Sequence, residues 1–502
     1  MDRDNPQPFL SLPSELIYHI LTFLSLRDLL SVSQVDHALH EHSLQDTLWQ
    51  PFVQSHVSGT TLSKPDNITW RELYRTHHPY WFIPQNKLWF ADNPHTGKLL
   101  IARYNHRLNI IEAYMLVAER RQPAFTHWDW NPEAIIHTFS PRIQLDANQP
   151  VIRLDADGYG RAVGEKGYRL KREIPMNITG DPPGASAGIY SQLILTRPLP
   201  EPAITEATKV WPPSIIPSPH RTRTESSTQF RDLGHRPSKL SELSTSTFRL
   251  RKWIEFSSRP RGVSMRIGED VRTYATLPAE CYTPTKEKPW QGIWCGDYSG
   301  HGCEFLLVTQ PDDPAPLPAR AEWVMLNRER EGSVSSAGSW STAPSSAPNP
   351  ADQNWGLVDE QEGIAGSLNL EDSVATLLAP SSPRDSTPAQ ASPHPEADCI
   401  YKGRIEAIKL TGDPNIPRGE YTFIAPDIGP NGLVRIASED IFKGARVVKS
   451  VGHIAARDFR DDDYIVSQLI LISPNRLAQY WETFGHVSFY QRVDIDEFTK
   501  VP

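Results

Sequence analysis

Leu12-Pro13-Ser14-Glu15-Leu16-Ile17-Tyr18-His19-Ile20-Leu21 decides how the amino-terminal region is read. Ile17, Ile20, Leu21 and Leu24 fall at i, i+3, i+4 and i+7, which lines one helix face with apolar side chains. Pro13 suits a first helical turn, where its missing N–H removes no bond, and Glu15 stands near the positive end of the helix dipole. A second helix starts at once: Ser25 followed three residues on by Asp28 is a capping-box pattern, and Leu29, Val32 and Val35 continue on one face. Leu44, Leu48, Trp49, Phe52 and Val53 again carry helical period. The expectation is one small bundle of three short helices within residues 1–55.

Beyond about residue 80 the grammar changes to strand and turn. Short runs such as Lys87-Leu88-Trp89-Phe90, Lys98-Leu99-Leu100-Ile101-Ala102, Glu304-Phe305-Leu306-Leu307-Val308 and Gln468-Leu469-Ile470-Leu471-Ile472 are broken by Gly, Pro, Asn and Asp. Val487, Phe489, Gln491, Val493 and Ile495 alternate with their neighbours, so one face is expected to be buried. Many short strands fit a β-barrel and a sandwich equally. The β domain is expected in three pieces: residues 56–200 with a linker, 248–311, and 399–502. Residues 201–247 and 312–398 are rich in Pro, Ser and charged or small residues. They are too poor in large apolar side chains to offset chain entropy and are expected to be flexible insertions. Ser382-Pro383, Thr387-Pro388 and Ser392-Pro393 in the second are candidate sites of proline-directed phosphorylation.

Composition agrees with partial folding: hydrophobic residues are 38%, and proline is 45 of 502 residues, about 9% against a usual ~5%. Lys+Arg 51 against Asp+Glu 60 gives a net charge of -9, which offers no general field for nucleic acid or an anionic membrane. No apolar run approaches the ~20 residues of a membrane span, and the start lacks the basic region of a signal peptide. Cys281, Cys295, Cys303 and Cys399 form no CxxC pair and read as reduced thiols of a cytoplasmic or nuclear protein.

Enzyme signatures fail in turn: there is no GxxxxGK[ST], HExxH, GxSxG, or GxGxxG between strand and helix. Asp155-Ala156-Asp157-Gly158 begins like a calcium loop, but Tyr159 and Lys166 stand where oxygen ligands belong, so no metal or other cofactor is expected. His220-Arg221-Thr222-Arg223 lacks interleaved aromatics and reads as solvated linker. Two segments carry more constraint. Gly292 to Phe305 sets four glycines around Asp297, Tyr298 and His301, and Lys409-Leu410-Thr411-Gly412-Asp413-Pro414-Asn415-Ile416-Pro417 is a rigid turn. They are either hairpin ends with good turn chemistry, or a small polar pocket whose Asp413 carboxylate accepts N–H donors from a ligand.

The stretch Leu12 to Leu21, with Leu24, Leu29-Leu30, Val32, Val35 and Trp49, resembles an F-box. That resemblance implies a surface for the adaptor Skp1, and through it a cullin–RING ubiquitin ligase. Leu12, Pro13, Glu15, Leu16, Ile20, Leu24, Leu29, Val32, Val35 and Trp49 are the expected contacts. Gly292–Phe305, Lys409–Pro417 and His486-Val487-Ser488-Phe489-Tyr490-Gln491-Arg492-Val493 resemble the F-box-only protein 31 family. Its second domain is a β-barrel that holds a client's tail, carboxyl-terminal amides among them. The implied substrate-binding residues are Gly296, Tyr298, His301, Glu304, Lys409, Thr411, Gly412, Asp413, Pro414 and Asn415. The expected fold class is α+β, a three-helix bundle followed by a mainly-β, barrel-like domain with insertions. The expected function is a non-catalytic substrate receptor whose partners are Skp1, a cullin–RING ligase and client proteins, with neither nucleic acid nor membrane. The rival readings are an enzyme using Asp297, His301 and Asp413 as acid–base groups, and an F-box scaffold outside a ligase.

Overall fold

Capping side chains divide the amino-terminal region into α1 (Ser14–Leu21), α2 (Leu26–Val32), α3 (His37–Ser43) and α4 (Asp46–Gln54). Ser25 caps α2: its Oγ accepts the Asp28 N–H at 3.2 Å and donates to the Asp28 carboxylate at 2.7 Å. Asp36 caps α3 by accepting the Ala38 N–H at 2.8 Å. The bundle thus has four helices among the described residues where the sequence pattern predicts three. In α3 Leu39 is the one buried large apolar side chain, so it offered no stripe to read. Pro13 sits at the cap position of α1, one residue ahead of the first turn. Further on, α5 (Trp70–His77) begins with a complete capping box between Thr69 and Glu72, and α6 (Phe82–Asn86) leads into the strands.

In this computed structural model the described residues are 9–57, 59, 61–65, 68–91, 97–120, 125–137, 140–163, 169–178, 187–198, 236–258, 263–298, 302–333 and 400–501. The described residues up to Arg328 and those from 400 onward belong to one compact unit. Strands β1 (Leu88–Ala91), β2 (Leu99–Asn105), β3 (Ile110–Glu119), β4 (Phe125–Trp128), β5 (Asn131–His137), β6 (Arg142–Leu145) and β7 (Ile152–Leu154) come first. After α7 (Ala156–Val163) come β8 (Glu173–Met176), β9 (Ala187–Leu195), β10 (Thr247–Ser258) and β11 (Val263–Ala275). The remainder are β12 (Gly292–Asp297), β13 (Cys303–Thr309), β14 (Ile405–Lys409), β15 (Tyr421–Ala425) and β16 (Leu433–Ile436). Last are β17 (Arg446–Ala456), β18 (Arg460–Ser473), β19 (Arg476–Trp481) and β20 (His486–Val493).

These strands sort into two sheets, not one. The first runs β6-β3-β2-β1-β11-β10-β9-β8, with β7 also on β3. The second runs β12-β13-β14-β15-β17-β18-β19-β20 and closes by pairing β12 with β20, which makes an eight-stranded antiparallel barrel and decides between barrel and sandwich. β5 extends β20 through a parallel pairing of His486 and Val487, and β4 pairs with β5.

The first sheet is a middle layer. Trp89, Ala91, Leu100 and Ala102 share a core with Trp81, Phe82 and Ile83 on the helical side. Their strand neighbours Leu88, Phe90, Leu99 and Ile101 share a core with Ile293, Cys295, Phe305 and Leu307 on the barrel wall. Because both faces are covered, these strands read as continuous apolar runs. The opposite parity of the barrel strands, including Trp294, Leu306, Val308, Ala407, Phe423 and Leu469, fills the barrel interior.

The insertion boundaries shift. Residues 236–247 are ordered: Arg236 pairs with Glu173, and Glu242 accepts the Ser238 N–H at 2.8 Å. Ala319–Ser333 is helical, with Ala321 and Val324 buried against Ile424 and Val451. The candidate phosphorylation dipeptides and His220–Arg223 lie outside the described residues.

Candidate functional site

One end of the barrel interior is apolar and the other is polar. On β13 the parity that gives Leu306 and Val308 to the interior gives it Glu304, and on β14 the parity of Ile405 and Ala407 gives it Lys409. The register sets Glu304 opposite Gly296, and Gly296 opposite Tyr490. A Cβ at Gly296 would stand 2.6 Å from the Tyr490 ring, so glycine is what admits that ring beside the carboxylate. Tyr490 donates to Gln479 Oε1 at 3.1 Å, Gln479 donates to Ser467 at 3.1 Å, and Ser467 and Ser450 lie 2.8 Å apart.

The centre of this polar end is Lys409. Its ammonium lies 3.0 Å from Glu304 Oε2, pairs with Asp413 Oδ2, and stands 4.4 Å from the centroid of the Tyr298 ring. Tyr298 is fixed by a 2.7 Å bond to Thr422. The turn after β14 makes this geometry rigid. Asp413 Oδ1 accepts the N–H groups of Asn415 and Ile416, each at 2.6 Å, and the Asp413 N–H returns a bond to Ile416 O at 2.9 Å. Gly412 takes φ +57°, which favours glycine. Thr411 Oγ1 accepts the Phe305 N–H at 2.9 Å, Asn415 donates to Ala455 O at 2.9 Å, and Pro414 O accepts the Asp458 N–H at 2.9 Å.

All three charged groups are almost entirely buried. Burial pushes the Glu304 carboxyl up to about 8; Lys409 opposes that rise and Asp413 adds to it. Burial works against the Lys409 ammonium as well, but the two carboxylates outweigh it and hold its pKa above the ordinary value. For Asp413 burial is outweighed by Lys409 and the turn N–H groups, so its pKa is lowered. The site therefore holds one ammonium, one carboxylate and a carboxyl that keeps its proton near neutrality. Glu304 is held by the Lys409 ammonium and by the neighbouring Asp413 side chain.

The structure thus brings together Gly296, Tyr298, Glu304, Lys409 and Asp413, with Thr411, Gly412, Pro414 and Asn415 shaping the turn that carries them. One detail is corrected: the Asp413 carboxylate is not open to a ligand's N–H donors, because its own chain occupies both oxygens. His301 lies outside the described residues. Asp297 does not join the cluster. It alternates with Gly296 on β12 and pairs with Arg120 at 2.9 Å. Gln479, Tyr490, Ser467 and Ser450 were missed; the one available signal was the break of apolar alternation within β17 to β20.

The helical bundle presents a different surface. Ile17, Leu21 and Leu29 are buried in the shared core. Leu16, Ile20 and Val35 are exposed, Val35 at 73%, and Pro13 and Glu15 are exposed beside them. Leu12, Leu24 and Val32 are half-buried at its edge. Leu29 and Trp49, expected as adaptor contacts, are only 1% and 4% exposed, because each turns into the core; Trp49 also donates to Ser43 O at 2.9 Å. Phe23, 76% exposed, was not singled out because it falls off the predicted stripe.

Two family models match the chain. Residues 9–55 match the F-box-like model, and residues 274–497, which hold all eight barrel strands, match the Cyclin D1 binding domain. A search of curated proteins finds no match.

Proposed function

We propose that this chain, which is an F-box protein of the F-box-only protein 31 type, recruits clients to a Skp1–cullin–F-box ubiquitin ligase by gripping a client tail at the polar end of its barrel. An F-box domain carries a substrate-receptor role in general, and a domain of cyclin D1 binding type supports a protein client, a cyclin being one candidate. The observation that carries the reading is the division of the bundle's leucines and isoleucines. Ile17, Leu21 and Leu29 seal the chain's own core, while Leu16 and Ile20 on α1 and Val35 in the turn after α2 remain in solvent. Exposed apolar side chains grouped on so small a bundle mark a surface that another protein covers.

The receptor itself performs no bond chemistry in this reading. It raises the effective concentration of client lysines at the ligase. At the barrel, a peptide end that donates N–H groups meets the buried Glu304 carboxyl beside Lys409 and Tyr298. The same reading places the protein in the cytoplasm or nucleus. Co-purification tests it. Leu16→Asp with Ile20→Asp should abolish capture of Skp1 and cullin by the full chain. Glu304→Leu should keep both partners and lose the client. Undiminished Skp1 capture by the double variant would overturn the adaptor surface. Unchanged client recovery with Glu304→Leu would overturn the barrel site.

A further inference from the structure

A cleft of about 950 Å³ lies between α2, α5, Arg169–Leu170 and Ser238–Leu240, away from the barrel interior. Arg27, Arg71, Arg75, Arg169 and Lys239 line it, and no carboxylate does among the described residues. Leu26, Leu30, Trp49, Tyr74 and Leu240 give it an apolar floor. Two acids nearby are committed to their own chain. Glu72 accepts the Thr69 N–H at 2.8 Å, and Glu242 accepts from Ser238 and pairs with Arg197, each at 2.8 Å.

Two of the cations are held in place. The Arg71 guanidinium lies 5.6 Å from the Trp49 ring centroid, and its buried Nε has no hydrogen-bond partner. Arg169 Nη1 donates to Thr76 O at 2.6 Å and His78 O at 2.8 Å, with its guanidinium 4.5 Å from the Tyr159 centroid. His78, also on the lining, has its pKa lowered by burial first and then by Arg169 and His56, as a cationic surround requires. Like charges fixed on one wall repel one another unless an anion arrives, and arginine forks suit carboxylates in pairs. The chain's net charge of -9 repels a long polyanion, while a short acidic segment meets only the local patch.

We propose that this cleft binds an extended acidic segment of a partner protein, its carboxylates on the guanidiniums and an apolar side chain on the Trp49 and Leu240 floor. The segment touches α2 on one side and Ser238–Leu240 on the other, so it bridges the helical bundle and the first-sheet layer. The proposal does not rest on the barrel as a client site.

The test uses the full chain in complex with Skp1 and a fluorescein-labelled peptide, Glu-Glu-Leu-Glu-Glu-Leu-Glu-Glu, read by anisotropy. It should bind at least about tenfold more tightly than its glutamine counterpart and weaken as salt rises. Arg27→Gln with Arg75→Gln, both exposed, should weaken it about tenfold with an unchanged thermal midpoint, and Glu304→Gln should leave it unaltered. If the double variant proves less stable, Arg75→Ala alone should show the same direction of loss. Equal binding of the two peptides, indifference to both sets of arginine variants, or loss to Glu304→Gln would each overturn the proposal. Binding confined to the chain without Skp1 would assign the cleft to the adaptor interface and overturn it too.

Discussion

The polar end of the barrel and the arginine-lined cleft both gather charge, under opposite conditions. In the barrel Glu304, Lys409 and Asp413 are dehydrated, and the chain supplies acid and base together. In the cleft Arg27 and Arg75 face solvent, and no carboxylate shares the lining among the described residues. A dehydrated charge must be balanced within its own molecule, because the penalty of leaving it alone exceeds what folding can absorb. A hydrated charge can wait for a partner at little cost.

The largest effect is expected from Lys409→Met, which leaves Glu304 and Asp413 buried without their cation. It should cost about 3–5 kcal/mol in urea denaturation of the full chain, and a loss below about 1 kcal/mol would break the contrast. Leu29→Ala should follow at about 2–5 kcal/mol by the same measurement, since Leu29 fills the core.

Glu304→Gln sharpens the comparison through pH. An ordinary glutamate ionises near 4.5, whereas folded Glu304 keeps its proton to about 8. The folded state binds more protons between those values, so the wild-type chain loses stability as pH rises through that window. The glutamine variant should match wild type near pH ~5 and exceed it near pH ~9 by on the order of a few kcal/mol. Equal thermal midpoints at the higher pH would contradict a protonated Glu304. The smallest stability effect belongs to Leu16→Asp. It should leave the denaturation midpoint in place and reduce Skp1 affinity by about 1–3 kcal/mol in titration calorimetry.

The amino-terminal helices were legible because their stripe and caps are local signals. Burial was less so: Leu29 and Leu16 are equally apolar in sequence, and only packing decides which of them stays wet. Strand content was legible, but the division into two sheets was not. Leu88 to Ala91 is covered on both faces, so its alternation vanishes and pairing partners leave no local mark. The rigidity of Thr411 to Asn415 was readable from turn chemistry, whereas the pairing of Lys409 with Glu304 depends on register across β13 and β14. Asp155, whose Asp-x-Asp-Gly context begins like a calcium loop, accepts the Gly158 N–H at 2.6 Å at the start of α7.

Strand β20 is the barrel's latch. It joins β12 and β19 in the closed wall, and on its β12 side carries β5 at His486 and Val487, ahead of the β12 pairing at Tyr490 to Val493. During synthesis β12 emerges well before it and must wait with one hydrogen-bonding edge open, as must β5. A chain halted by a stop codon before His486 would therefore leave the ribosome with three raw strand edges, those of β5, β12 and β19, the second bearing Ile293, Trp294 and Cys295. Such a fragment, its amino-terminal helices complete but its barrel unable to shut, would be a substrate for cellular quality control.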